Sequence, residues 1–186
     1  MQLITPHHLA LLAFGGFSQA TPVGNTTPSN HTNLDLLSTA TFTHGNRLNV
    51  YGYKTIKSIP TRNELAANQH CGGPFTYSTC DETWNLASTE LCRGLVAAID
   101  ATGSAPVVGT GTPRSICFSS STTNQCCISW SKQIPRSLQR ADLLAQAQAV
   151  LNLCSFGGTT SGSSSLVMLS GTCTSQCMSN RPDGCG

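Results

Sequence analysis

Few side chains in this sequence could carry out acid–base chemistry. Beyond the first twenty residues its histidines are His31, His44 and His70, and none of them lies between the first cysteine, Cys71, and the last, Cys185. The chain also lacks the sequence patterns of a nucleophile elbow, a phosphate-binding loop, a zinc protease or a dinucleotide-binding fold. We therefore predict that the protein is not an enzyme.

Carboxylates offer another route to catalysis, because a pair of them can hydrolyse a glycosidic bond. Asp81, Glu82 and Glu90 lie close together in the sequence. A helix is predicted to begin between Asp81 and Ser88, and acidic residues in the first turns of a helix favour its positive end. That structural role is the simpler explanation, so a small secreted hydrolase is only the third of three functional hypotheses.

The cysteines all lie between residues 71 and 185, and their even number, in a chain with the export signal described below, predicts five disulfides. The ten residues are Cys71, Cys80, Cys92, Cys117, Cys126, Cys127, Cys154, Cys173, Cys177 and Cys185. Ten cysteines can pair in about 945 ways, so the sequence leaves the pairing open. The spacing of Cys173 and Cys177 would also suit zinc, but no histidine lies nearby and an oxidising compartment favours disulfides. We expect no metal and no other cofactor.

Four cations, Arg114, Lys132, Arg136 and Arg140, follow one another with no acidic residue before Asp142. We interpret them as the solvated rim of the fold, and a surface for an anionic partner is the alternative. The formal net charge is +2, and 10% of the residues are charged. This balance excludes the basic footprint of a nucleic-acid-binding protein and a polybasic membrane anchor.

Residues 1–20 are predicted to be a signal peptide. Leu9–Phe17 is an apolar run too short to span a bilayer, and Ser18 and Ala20 supply the small residues of a cleavage site after Ala20. No other apolar run approaches the roughly 18 residues of a transmembrane helix. Asn25 and Asn30 each begin a glycosylation sequon. The mature protein is therefore expected to be secreted and extracellular.

Residues 21–70 are predicted to be a leader or pro-segment, and residues 71–186 the cysteine-rich domain. Thr21–Leu37 has few large apolar residues and is expected to be disordered. Strand-forming residues within Thr41–Ile59 predict one or two strands. No cysteine ties this part to the rest, so it is either a removable pro-segment or an addition to the main domain.

Pro113–Lys132 is predicted to be the hairpin that organises the domain. Alternation places its apolar side chains on one face and its serines on the other, so Cys126 and Cys127 face opposite ways. Adjacent cysteines on a strand cannot easily bond each other. One should therefore join the hairpin to the helices, and the other should join it to the opposite face and the C-terminal tail. Trp130, in phase with Ile128, is expected in the core.

Apolar periodicity predicts two helices around this hairpin. The first begins between Asp81 and Ser88, carries Cys92 on its buried stripe and ends near Ala101. The second runs from about Leu138 to Cys154, and two glycines end it.

The chain beyond residue 158 is predicted to contain little regular structure: a small-residue loop over 159–164, a last strand at Leu166–Leu169 and an irregular tail from Cys173. Two helices with apolar stripes and a few strands with one apolar face can bury these surfaces together if the helices pack on one side of an antiparallel sheet. We predict an α+β fold, a disulfide-stapled two-layer sandwich with two helices packed on a small antiparallel sheet.

The sequence CCISW at 126–130, the helix that ends in Cys154 and the segment Cys173–Cys185 together resemble the fungal WD-like domain of secreted cysteine-rich proteins. The resemblance covers about Cys92 to the C-terminus. It implies no WD40 propeller, because the chain has no repeat near 40 residues and no Trp-Asp dipeptide. It implies no established activity and no site residues. The element order also resembles that of killer-toxin α/β sandwiches.

These observations predict a monomeric, secreted fungal protein that binds an unknown protein or cell-wall polymer, as an effector or a wall-associated factor. A killer-toxin-like antimicrobial protein is the alternative. The small secreted hydrolase comes third.

Overall fold

The computed structural model describes residues 34–53, 71, 76–81, 83–108, 111–120, 124–134, 138–183 and 185. The predicted signal peptide, both glycosylation sequons at Asn25 and Asn30, and the side chains of Glu82 and Arg136 lie outside these residues. Those assignments therefore stay predictions.

Most of the strands belong to one antiparallel sheet. The seven-stranded sheet has the order β1-β2-β5-β6-β10-β9-β3, and three two-residue strands form a second sheet in the order β4-β8-β7. The strands are β1 (Asp35–Thr41), β2 (Arg47–Tyr53), β3 (Tyr77–Cys80), β4 (Ala87–Ser88), β5 (Thr112–Ser119), β6 (Gln125–Trp130), β7 (Ser155–Phe156), β8 (Thr159–Thr160), β9 (Gly162–Leu169) and β10 (Thr172–Ser179).

Strands β1 and β2 come from the segment predicted as a leader, and they belong to the main sheet. Leu48 and Val50 lie opposite Phe118 and Ile116 on β5. Both β2 side chains are 1% exposed. This segment therefore contributes two strands to the main sheet, and whether it is removed as a pro-segment stays a prediction.

The central hairpin forms where the sequence predicts it. Strands β5 and β6 are antiparallel, with Ile116 opposite Ile128 and Cys117 opposite Cys127. Trp130 is 0% exposed, as expected for a core residue. The serine face is buried as well, with Ser115 at 0% exposure. The hairpin is thus enclosed on both sides.

The first helix, α1 (Thr89–Ala101), begins directly after Ser88, at the late end of the predicted range. Cys92 is on its buried face with Leu95 and Ile99. Asp81 precedes α1 in the chain, and the acidic residue in the first turn of the helix is Glu90. Neither helix of the described residues is long and apolar enough to cross a membrane.

The second helix is shorter than the sequence predicts. α2 covers Leu144–Leu153, and a 3-10 segment, Arg140–Leu143, precedes it. The backbone N–H of Gln139 donates a hydrogen bond to the Asp142 carboxylate at 2.9 Å, as part of a capping box. This cap fixes the start of the helical segment after Gln139, because a capped N-terminus satisfies its unpaired donors.

The C-terminal third differs most from the prediction. Strand β9 begins at Gly162, inside the predicted loop, and β10 occupies most of the predicted irregular tail. The polar half of β9 and the whole of β10 were not predicted because they contain many small polar residues. Such side chains form hydrogen bonds across the sheet and do not give the apolar alternation typical of a strand. Ser78 and Ser164, for example, are 2.8 Å apart between their hydroxyl oxygens. Gln176 is buried on β10 and donates its side-chain amide to the Leu143 carbonyl at 2.9 Å.

The disulfides confirm one half of the expectation for the Cys126-Cys127 doublet and correct the other half. Cys126 bonds Cys92 and so joins the hairpin to α1, as predicted. Cys127 bonds Cys117, its direct neighbour across the hairpin, and does not reach the C-terminal tail. The tail is closed by its own bond, between Cys177 and Cys185.

Two longer disulfides attach the remaining parts. Cys80 of β3 bonds Cys154 at the end of α2, and Cys71 bonds Cys173 of β10. All ten cysteines are thereby paired. With α1 in contact with β5 and β6, and α2 in contact with β3, β9 and β10, the protein has an α+β fold.

Gly162 marks the closest approach of β9 to β3. A Cβ atom on this residue would lie 2.8 Å from the Cys154 sulfur and 2.8 Å from the Thr79 carbonyl oxygen. Both neighbours are held by a disulfide or by the sheet. We expect Gly162→Ala to lower the free energy of unfolding by about 1–3 kcal/mol, as overpacking does. Ser165→Ala, an exposed change on the same strand, is the control for denaturant unfolding. An unchanged midpoint for Gly162→Ala would show that the two strands have room to separate.

Candidate functional site

The structure describes three of the four predicted cations, Arg114, Lys132 and Arg140. Arg114 on β5 and Lys132 after β6 lie toward the same end of the hairpin, where Gln133 donates to the Thr112 hydroxyl at 3.3 Å. Arg140 donates instead to the Thr102 hydroxyl at 2.8 Å, at the end of α1. Burial lowers the pKa of Arg140. Its guanidinium therefore has a structural contact that the sequence did not predict.

Asp81 lies in a tight turn directly after β3. Its Oδ1 atom accepts hydrogen bonds from the backbone N–H of Thr83 at 3.1 Å and of Trp84 at 3.0 Å, and from the Thr83 hydroxyl at 3.2 Å. These bonds, with the Thr83 backbone first, lower the pKa of Asp81 below 3.8. A general acid needs a raised pKa near its working pH. Asp81 is therefore suited to accept hydrogen bonds as a carboxylate.

A polar cleft opens beside Asp81, where β3 and β10 end and β9 begins. Thr79, Ser163 and Cys177 lie opposite one another on β3, β9 and β10. Two residues after Thr79, the backbone N–H of Asp81 donates a hydrogen bond to the Ser161 carbonyl at 3.0 Å. The cleft has a volume of about 170 Å³. Its lining residues are Thr79, Cys80, Asp81, Asn85, Ser161, Gly162, Ser163, Cys177, Met178 and Ser179.

The cleft offers hydroxyl groups and one carboxylate. The Thr79 and Ser163 hydroxyl oxygens are 3.0 Å apart, so one donates to the other and the second keeps its proton for another acceptor. Asp81 is the one acidic residue among the lining residues. Glu90 is exposed in the first turn of α1 and is not among them. The described residues therefore place no second carboxylate in the cleft to complete a catalytic pair.

Exposed large apolar side chains concentrate at this edge of the sheet. Among the described residues they are Tyr77 at 62%, Trp84 at 72%, Leu153 at 54%, Phe156 at 56% and Met168 at 44% exposure. Tyr77 lies on β3, Trp84 follows it and Met168 lies on the paired strand β9. The other two flank Cys154, which is bonded to Cys80 of β3. We call Tyr77 and Trp84, with the cleft, the β3 edge.

Sequence reasoning missed Tyr77 and Trp84 as site residues. Trp84 lies between Cys80 and the start of α1, in a polar stretch with no apolar periodicity. A large aromatic residue without apolar neighbours at helix or strand spacing indicates surface exposure, so the exposure of Trp84 could have been predicted from the sequence. The described residues contain no group of three or more potential metal ligands.

The turn at Asp81 can be tested directly. Asp81→Ala removes the acceptor for the Thr83 and Trp84 backbone N–H groups, so we expect their amide hydrogen exchange to accelerate about tenfold or more. Asp81→Asn is the matched control, since its side-chain carbonyl can still accept both bonds. Equal exchange in the two variants would show that the loop is held by other contacts.

The pH dependence of this turn follows from the lowered pKa of Asp81. A group whose pKa is depressed in the folded state stabilises it above the unfolded pKa, and that contribution is lost as the pH falls through the folded pKa. We expect protection of the Trp84 amide to persist at pH 5 and to decline only below the ordinary value of 3.8. Loss of protection already between pH 6 and 5 would contradict this assignment.

The fold and its cleft define a small cysteine-rich α+β protein with a polar surface site. The family model of the Fungal WD-like family matches residues 19–185, and the chain belongs to that family. The match begins well before Cys92, so it includes β1 and β2. No curated protein and no solved structure matches the chain. The similarity to killer-toxin sandwiches therefore stays a prediction from element order.

Proposed function

We propose that this protein is secreted and acts by binding, through the β3 edge, to a protein or cell-wall polymer, and that it is not an enzyme. The observation that carries the proposal is the exposure of two large aromatic side chains, Tyr77 on β3 and Trp84 three residues after Asp81, near a polar cleft that Asp81 lines. Exposed apolar surface bordered by polar groups typically marks an interaction site.

Secretion is supported by the disulfides and by the predicted signal peptide. Five disulfides leave no free cysteine, a pattern typical of proteins in oxidising compartments. The bonds join α1 and α2 to the sheet, and we treat the molecule as a two-layer sandwich whose helices cover one sheet face. The cleft lies beside β3 at the edge of the sheet, which leaves it accessible to a partner.

Binding is favoured over catalysis by the chemistry of the cleft. Its carboxylate is held by backbone N–H groups and has a lowered pKa, and its other polar groups are hydroxyls and an amide. Such groups orient a ligand but do not supply the acid and base of a hydrolase. The role as an effector or a wall-associated factor is the finer part of this proposal.

The experiment compares binding by the intact, oxidised protein and by two double variants. Fungal and plant cell-wall fractions and secreted host proteins are incubated with the wild type, with Tyr77→Ala/Trp84→Ala and with Arg93→Ala/Lys132→Ala. We expect the β3-edge variant to lose binding and the second variant, which changes exposed cations elsewhere, to keep it. Capture that depends on the cations and not on the aromatic residues would overturn the proposed site. Release of sugars or peptides by the wild type would overturn the non-enzymatic assignment.

A further inference from the structure

We propose that the cleft of the β3 edge binds a neutral polysaccharide of β-linked hexopyranose rings. This inference rests on the proposed binding function and specifies its ligand. It is carried by the size of the cleft, by its polar groups and by the aromatic side chains beside it.

The cleft is too small to enclose a complete ligand. Its volume of about 170 Å³ lies below the roughly 300–1,000 Å³ of pockets that bury a small molecule. An open site of this size fits one unit of a longer chain, with neighbouring units lying on the surface outside it.

The polar groups of the cleft match sugar hydroxyls. Each sugar hydroxyl both donates and accepts, and so do the hydroxyls of Thr79 and Ser163. The carboxylate of Asp81 accepts only, and its three hydrogen bonds within the described residues all end on Oδ1. Its Oδ2 atom thus has no partner among those residues and is fixed in place to accept bonds from a ligand.

The aromatic side chains supply an apolar surface next to these polar groups. Trp84 is 72% exposed, while its backbone N–H is bonded to Asp81 at 3.0 Å. The Trp84 backbone is therefore held beside Asp81, a lining residue of the cleft, while its indole is exposed to solvent. Tyr77 alternates in phase with Thr79 on β3, so it lies on the same sheet face. A β-linked hexopyranose with equatorial hydroxyls exposes C–H groups on a flat face, which can cover an aromatic ring and remove it from water.

Charge and strand length favour this ligand over other polymers. A polyuronate would bring carboxylates close to that of Asp81, which like-charge repulsion disfavours. A peptide could instead add a strand to β3, which ends the sheet order within the described residues. β3 has only 4 residues, however, so an added strand would gain few backbone hydrogen bonds. Binding of a neutral polysaccharide requires neither a surface of opposite charge nor a long strand edge.

The test uses the full oxidised protein and measures binding to three insoluble polymers: a β-1,3-glucan, cellulose and chitin. Soluble hexamers of the same sugars are titrated in parallel by calorimetry and tryptophan fluorescence. The chain has 2 tryptophans. Because Trp130 is 0% exposed, a ligand-induced change in emission or in iodide quenching reports on Trp84.

We expect the wild type to bind at least one of the three polymers and ligand to protect Trp84 from iodide. Trp84→Ala should weaken binding by about tenfold or more, as loss of a central aromatic contact does. The matched control is Phe156→Ala, since Phe156 is also an exposed aromatic residue, at 56%, but lies on β7 of the second sheet. It should change the affinity by less than about twofold.

Several results would overturn the inference. One is failure of the folded protein to bind any of the three polymers, and another is an equal effect of Trp84→Ala and Phe156→Ala. Preferential binding to polygalacturonate would also contradict it. If neutral polymers fail while a protein is still captured through Tyr77 and Trp84, the ligand class is wrong and the binding function stands. If no partner depends on the β3 edge, the proposed function is wrong as well.

Discussion

Replacement of both Cys92 and Cys126 by alanine is expected to lower the free energy of unfolding by about 4 kcal/mol or more. The bond spans 34 residues, and closure of a loop of that length stabilises a fold by about 3–4 kcal/mol in the chain-entropy description. Both cysteines are also fully buried, so loss of their sulfur atoms leaves a cavity between α1 and β6. A domain whose net stability is about 5–15 kcal/mol would lose a large share of it.

The matched control is Cys177→Ala/Cys185→Ala, which removes a bond across only 8 residues near the C-terminus. The same description gives that bond about 2.5 kcal/mol, and its loss separates no helix from the sheet. Denaturant unfolding of the oxidised proteins measures both changes, with mass spectrometry to confirm that the other four bonds have formed. If the short bond proves as costly to remove as the long one, the bond from α1 to β6 does not have the role assigned to it.

The part of the fold that could be predicted is the part with large apolar residues at regular spacing. Ile116, Ile128 and Trp130 alternate with serines and cysteines, so the central hairpin and its faces were predictable. The buried stripe of α1 follows from Leu95 and Ile99 for the same reason.

The strands at the C-terminal end could not be predicted in this way. β9 and β10 are built largely from Ser, Thr, Gly and Gln, whose pairing depends on hydrogen bonds between strands far apart in sequence. Sequence reasoning predicted the apolar half of β9, Leu166–Leu169, but assigned its polar half and β10 to a loop and an irregular tail, because small polar residues are also typical of loops. The disulfide partner of Cys127 was predicted wrongly for a related reason. Alternation predicts the sheet face on which a residue lies, but the strand register decides which residue lies opposite it.

The candidate site was predicted even less well. The sequence drew attention to Asp81 as part of a helix start, whereas its carboxylate closes a turn beside a cleft. The cleft arises where β3, β9 and β10 meet, and two of those strands were absent from the prediction. Arg140 was predicted to lie on the solvated rim of the fold, and its guanidinium donates a hydrogen bond to the Thr102 hydroxyl. A site formed by long-range strand pairing leaves little local signal in the chain.

Leu48→Ala is expected to lower the free energy of unfolding by about 2–5 kcal/mol, although Leu48 lies in a segment that the sequence treats as a possible pro-segment. Leu48 is 1% exposed and lies opposite Phe118 in the main sheet. Truncation to alanine would remove three buried carbon atoms and leave a cavity in the core. The matched control is Arg47→Ala, an exposed change at the adjacent position of β2, which should alter stability by less than about 0.5 kcal/mol. Chemical unfolding of the full, oxidised protein gives both values. If β1 and β2 were a removable pro-segment, the two substitutions would have the same small effect, and the mature protein would keep its unfolding midpoint after their loss.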